Sequence, residues 1–313
     1  MKRPQSSLIV GLLVISLLGC TQAQTPIVPG KESPEPLQTE PAVGSETSEP
    51  ETRTASTPTS PDPTPTSIPL IAVVNGMEIS LAEYQSELAM YKAAVDRELT
   101  TEDEQTVLDD LIDQSILAQE AVEKGLAVDQ KTLENRLEII IAEIGGPEKL
   151  SEWMRTYDFD EDTFNKTLET SINAALARDE LIAAVPDTAE QVHVRQLLFT
   201  DENEAEQVLI DLQAGNSFDN LAAEYDPILK GDLGWFPRGY LYYKEIEDAA
   251  FKLETGEFSS VIQTPSGYHI IMVIDREPSR KLTQEALIKL QQQELQNWLE
   301  AQRQNSDIQI ISP

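Results

Sequence analysis

The chain has 313 residues, a formal net charge of −32 and 40% hydrophobic residues, enough for one or two folded domains with tails. The acidic excess opposes binding to nucleic-acid phosphates and reads as a solvated surface. A single cysteine, Cys20, excludes an internal disulfide and a cysteine-rich metal site. Two histidines, His193 and His269, with no clustered ligands argue against zinc, and no cofactor is expected.

The chain opens "MKRPQSSLIVGLLVISLLGC". Lys2 and Arg3 form a positive n-region, and Leu8 to Leu18 is apolar apart from Gly11 and Ser16. That run is too short to cross a bilayer and suits a signal-peptide core. "LLGC" resembles a bacterial lipobox, which implies cleavage before Cys20 and lipidation of its sulfur. An ordinary secretory signal with a chance cysteine is the alternative. Residues 1–19 are therefore expected to be a lipoprotein signal peptide. Residues 20–66, rich in Pro, Thr, Ser and Glu, hold too few apolar groups to offset the entropy of ordering. They read as a disordered tether spanning about 40 Å.

Order is expected from "LIAVVNGMEISLAEY" onward. Asn75-Gly76 between apolar runs predicts a two-residue hairpin turn. Ser80 with Glu83, and Thr101 with Glu104, fit capping boxes that open helices. Leu108, Leu111, Ile112 and Ile116 form an apolar stripe that should end near Gly125. Leu133, Leu137, Ile140, Ile141 and Ile144 form a second, stopped at Gly145-Gly146-Pro147. Phe164, Leu168, Ile172, Ala175 and Leu176 form a third. The stripes are most economically core, a ligand groove being the alternative.

Near Pro186 the texture changes. "VHVRQLLF" alternates as a strand does, "ENEAEQVLIDLQAG" reads as a helix ended by Gly215, and "SFDNLAAEY" as a short helix capped by Ser217. "GDLGWFPRG" reads as a glycine-rich turn and "EIEDAAFKLETGEFS" as a helix ended near Gly256. "GYHIIMVID" is apolar on both faces and should lie inside a sheet. After Pro278 an amphipathic helix carries Leu287, Leu290, Leu295, Trp298 and Leu299. Its apolar face needs a partner, for which the helical first half is the obvious candidate. His269 stands at the head of the apolar strand, either as a satisfied core residue or in a working pocket.

"VHVRQLLF", "AGNSFDNLAAEY", "GDLGWF" and "EDAAFKLETGEFSSVIQTPSGYHIIMVIDR" resemble, in order, the parvulin (PpiC-like) peptidyl-prolyl isomerases. "VVNGMEIS" and the flanking helices resemble the chaperone module of SurA/PrsA-type extracytoplasmic foldases. The resemblance implies an α+β chain. A small parvulin domain at 188–278, with a sheet of about four strands flanked by helices, joins an all-helical chaperone-like domain at 67–187 plus 279–313. It implies that His269 is catalytic, with Asp226 facing the substrate amide unless it is a loop carboxylate in water. Gln196 stands where the family usually has a second histidine. His193 is three residues away, on the opposite face of a regular strand, so only a bulge would let it substitute. Leu233, Leu241, Ile246, Thr264 and Ser266 would bind substrate. Leu241 and Ile246 replace the usual Met and Phe, and Tyr242 is an alternative to Leu241. "TDENEAE" replaces the basic loop of phosphate-directed members, with Asp201, Glu202 and Glu204 repelling phosphate.

The implied function is prolyl cis–trans isomerisation by non-covalent twisting of X-Pro amides in an apolar pocket. The alternative is a membrane-anchored holdase whose parvulin domain binds unfolded chains with weakened or no turnover. Partners would be unfolded or partly folded exported proteins, and the membrane through lipidated Cys20, with no nucleic acid. The expected location is the extracytoplasmic face of the bacterial cell membrane.

Overall fold

The computed structural model describes residues 69–311. The expectations for the leader, Cys20 and the tether lie outside the described residues. Strands β1 (Leu70–Val74) and β2 (Met77–Ser80) form the expected hairpin, with Asn75 and Gly76 both at positive φ, 52° and 85°. A third strand, β7 (Ile308–Ile310), pairs antiparallel with β1, so the helical half also carries a small sheet in the order β2-β1-β7.

Helix α1 (Leu81–Val95) starts at Ser80, whose side chain accepts from the Glu83 N–H. Helix α2 (Thr101–Glu123) has its capping box one residue earlier than the sequence suggests. Thr100 is the cap and Asp103 its reciprocal partner, because the shorter Asp103 side chain also reaches Arg97. Helices α3 (Gln130–Ile144), α4 (Pro147–Thr156) and α5 (Glu161–Ala183) follow. The third stripe turns slightly from its expected face: Ala174 and Ala177 are buried while Leu176 is 39% exposed. Small residues let α5 approach α2 and the C-terminal helix closely, in a cluster with Leu117, Ala121 and Leu295.

The second half begins with the long strand β3 (Thr188–Phe199), then α6 (Glu202–Gln213) and α7 (Phe218–Tyr225), capped by Asp201 and Ser217. "GDLGWFPRG" is not a turn throughout. Asp232–Pro237 forms strand β4 at the sheet edge, where Pro237 costs no interior ladder bond. Helix α8 is only Lys244–Ala250, shorter than the periodicity suggests. Strands β5 (Ile262–Thr264) and β6 (Gly267–Lys281) complete a four-stranded antiparallel sheet in the order β4-β3-β6-β5. β6 runs past Pro278, where the register with β3 shifts between Ala189 and Gln191, a bulge that accommodates the missing N–H. The fold is thus α+β, as expected.

Helix α9 (Gln284–Asn305) returns to the helical half. Leu295, Trp298 and Leu299 pack against α2 and α5, and Arg303 Nη1 donates to Asp109 Oδ1 at 2.9 Å. The acidic excess is not all surface: Glu83, Glu87, Asp103 and Glu247 are buried. Among the described residues no helix is long and apolar enough to cross a membrane.

Candidate prolyl-isomerase site

β3 and β6 lie side by side with Leu198 opposite His269 and Gln196 opposite Ile271. Side chains alternate along a strand, so Val192, Val194, Gln196 and Leu198 share one face of β3. Val192 and Val194 pack there with Phe236, Ile246, Ile271 and Val273, an apolar cluster rimmed by Leu233, Leu241 and Tyr243. The opposite face carries Leu197 and Phe199, covered by α6 and α7.

His269 lies on the first face, 3% exposed, and both ring nitrogens are engaged. Nδ1 is 3.0 Å from Gln196 Oε1, and Nε2 is 2.8 Å from Thr264 Oγ1. An amide oxygen only accepts, so Nδ1 carries the proton and donates, while Nε2 accepts from the Thr264 hydroxyl. Thr264 Oγ1 also accepts from the Ser266 N–H at 3.1 Å. Burial lowers the His269 pKa from its ordinary 6.5, so the ring is neutral at physiological pH.

His193 does not join this cluster. The extra residues at the two register shifts between His193 and Arg195 are Ile274 on β6 and Leu233 on β4, so β3 keeps its alternation there. His193 points to the other face, where Nε2 is 2.8 Å from Asp232 Oδ1 and the ring stacks on Trp235. The β4 bulge instead re-aims Leu233 toward the apolar cluster.

Asp226 serves its own loop. Its carboxylate accepts from the N–H groups of Ile228 (3.2 Å), Leu229 (3.1 Å) and Gly231 (3.1 Å). These bonds, led by that of Leu229, hold its pKa below the ordinary carboxylate value. The loop then meets the site strand: Gln196 N–H donates to Gly231 O at 2.8 Å. A Cβ on Gly231 would lie 1.9 Å from Gln196 O, and φ there is +67°, so only glycine fits.

Of the two candidates on the preceding loop, Leu241 packs on the apolar cluster while Tyr242 is 87% exposed. Ile246, 4% exposed, lies within the apolar cluster. Ser266 hydrogen-bonds the Tyr243 hydroxyl, and the Tyr243 ring centroid is 6.2 Å from that of His269. Sequence reasoning missed Tyr243, for which an aromatic in "GYLYYKE" beside the expected pocket residues was the available signal. It also missed Glu247, hidden in a run of helix carboxylates. Asp201, Glu202 and Glu204 stand at the start of α6, where Asp201 caps the helix. Among the described residues no group of three His, Cys, Asp or Glu could hold a metal ion.

A neutral, doubly hydrogen-bonded imidazole beside an apolar cluster brings no charge to the site. It suits a reaction in which an amide twists out of plane without covalent chemistry. The PPIC-type PPIASE domain family matches residues 182–287 and the SurA-like N-terminal domain family matches residues 66–178. The foldase protein PrsA of Caldanaerobacter subterraneus subsp. tengcongensis is 32% identical over 227 residues, covering 64% of this chain and 72% of that one. PrsA of Halalkalibacterium halodurans is 41% identical over 106 residues, 32% of each chain. A crystal structure of peptidylprolyl isomerase (PrsA) from Bacillus cereus, at 21% identity, covers 79% of this chain and 95% of its own with a TM-score of 0.45.

The domain matched over residues 182–287 is that of a peptidyl-prolyl cis–trans isomerase of the parvulin class. The chain belongs to the PrsA foldase family.

Proposed function

We propose that His269 is the catalytic group of this isomerase and that Gln196 and Thr264 hold it neutral and oriented at the rim of an apolar hollow. The observation that carries this reading is the place of the His269 ring, held at both nitrogens, 6.2 Å from the Tyr243 ring at the partly exposed edge of the cluster that Leu233, Leu241 and Tyr243 form. Leu233, Leu241 and Ile246 receive the proline ring, and the neutral polar rim favours the twisted amide over either planar form. Thr264 and Ser266 shape the turn beside the ring. Asp226 acts on the loop that buttresses Gln196 and does not touch substrate. The exposed carboxylates Glu202 and Glu204 disfavour phosphorylated Ser/Thr-Pro substrates.

The foldase role implies exported proteins as substrates, engaged at their X-Pro bonds. The leader and its "LLGC" support processing at residue 20, lipidation of Cys20 and attachment to the extracytoplasmic face of the membrane. Residues 67–187 with 279–313 serve as the chaperone-like body and residues 188–278 as the isomerase.

Titration of the isotope-labelled chain with an Ala-Ala-Pro-Phe peptide tests the site. Signals of Leu233, Leu241, Ile246 and His269 are expected to move together, and movement confined to the helical half would overturn the assignment. Cys20→Ala should release the protein from the membrane fraction, and unchanged sedimentation with membranes would refute the anchor.

A further inference from the structure

The segment between β4 and α8, Arg238 to Tyr243, puts two residues over the site: Leu241 on its apolar floor and Tyr243 beside His269. It contains no regular structure, so something else must fix it. Two features do, one from each half of the chain.

The first is Glu247, which is 6% exposed. Its Oε1 accepts from the Gly239 N–H at 2.7 Å, and its Oε2 accepts from Tyr240 at 3.0 Å and Leu241 at 3.1 Å. Three charge-assisted bonds to consecutive N–H groups replace the ladder that the loop lacks.

The second is helix α9, which continues into the helical half. Lys289 Nζ donates to the Tyr240 carbonyl and lies 5.2 Å from the centre of the Tyr240 ring. Burial, and then the Glu285 carboxylate, push the Tyr240 hydroxyl pKa up. Gly239 faces the same helix, and a Cβ there would lie 2.3 Å from Gln293 Oε1 and 3.2 Å from Leu290 Cδ2. Its φ of +82° independently favours glycine. Tyr240 itself packs on the apolar cluster beneath the site, so the loop lies between that cluster and α9.

We infer that Glu247 and Lys289 are positioning residues for prolyl isomerisation, gripping the 239–241 segment from inside the isomerase half and from the helix of the chaperone-like half. The inference rests on the prolyl-site reading above. It gives the C-terminal helix a second role besides completing the helical core: it backs one wall of the isomerase pocket. Displacement of α9 by a client bound to the helical body would therefore change turnover at the proline site.

The test uses the full chain with Glu247→Gln, Lys289→Met, Lys289→Arg, the double variant Glu247→Gln/Lys289→Met, and Gln292→Ala as the control on an exposed position of α9. Isomerisation of a prolyl tetrapeptide is read as kcat and KM separately. Glu247→Gln should lower kcat/KM by about 10-fold and Lys289→Met by about 3-fold, mostly through KM because a binding wall is loosened. Lys289→Arg should restore most of the loss and Gln292→Ala should change nothing. The double variant should lose less than the product of the two single effects, since both act on one segment. Wild-type kinetics for Lys289→Met, with the fold intact by circular dichroism, would overturn the inference. Should Glu247→Gln not fold, Lys289→Met, on the exposed side of α9, decides alone. A second readout does not depend on turnover: Lys289→Met should shift the amide signals of Gly239, Tyr240 and Leu241 and the imidazole signals of His269. Wild-type turnover in His269→Ala would sink the prolyl-site reading while leaving the signal shifts to judge the grip, and unchanged signals would sink the grip itself.

Discussion

The imidazole Nδ1 of His269 sits 3.0 Å from Oε1 of Gln196, on neighbouring strands and on the same face of the sheet. A neutral amide here does what a second imidazole would do as an acceptor, but it cannot take up a proton. The ring is thereby held in one tautomer, and the pair carries no titration beyond that of His269 itself.

Gln196→Leu should be costly. It leaves a buried N–H without an acceptor, a penalty of about 1–3 kcal/mol. We expect kcat/KM for a prolyl tetrapeptide to drop by about 10-fold and the melting temperature to fall. Gln196→His keeps an acceptor and should raise turnover; a rate below that of the wild type would show that the glutamine is not what limits this enzyme.

The pH profile follows from the His269 environment. Burial lowers its pKa below 6.5, so the folded state prefers the neutral ring. The stabilisation tied to that preference is present above the unfolded pKa and is lost as pH falls toward the folded one. Isomerisation should therefore be level from about pH 7 to 9 and decline only in acid, below the usual histidine range. A midpoint above 7 in the kcat/KM profile would contradict the neutral-ring account.

Asp226→Ala should act through the 226–231 loop. Three N–H groups lose their acceptor, and the Gly231 carbonyl that receives the Gln196 N–H loses its support. Faster amide exchange at Ile228, Leu229 and Gly231 should accompany a fall of about 5-fold in kcat/KM. A rate loss with unchanged exchange would instead place the carboxylate on the substrate.

A separate pH effect belongs to the helical half. Glu87 is 7% exposed, and burial, with Glu83 and Asp110 adding repulsion, pushes its pKa up to about 8. Asp110 is pushed up to about 7 by burial, then by Asp113 and Asp109. Groups whose folded pKa is raised in this way bind protons in the folded state that the unfolded chain releases. Stability is therefore lost as pH rises from the ordinary carboxylate range through these values. The chain should melt several degrees higher at pH 5.5 than at pH 8.5, and Glu87→Gln should remove part of that difference while raising the melting temperature at pH 8.5. Equal melting temperatures for wild type at the two pH values would refute it.

Much of this was legible in the residues because local signals and packing agree. Asn75-Gly76 suits only a tight turn, and Ser217 caps α7 where a small polar residue precedes an apolar run. The order of motifs across residues 192–276 identified the sheet and the strand that carries His269. What escaped has physical causes. β4 carries Gly234 and Pro237, both poor strand formers, and is held by pairing with β3 alone. β7 is three residues long and exists only because β1 offers an edge. The destination of a carboxylate cannot be read from its spacing: Asp226 and Glu247 each gather three backbone N–H groups, the first expected at the substrate amide or in a solvated loop and the second read only as one residue of a helix.

The account turns on one imidazole in an apolar hollow, and the rate of prolyl tetrapeptide isomerisation with and without it is the most direct measurement. The wild-type chain should accelerate cis–trans exchange well above buffer, and His269→Ala should lower kcat/KM by about 10-fold or more with the fold retained. Equal rates for the two proteins would contradict the assignment of His269.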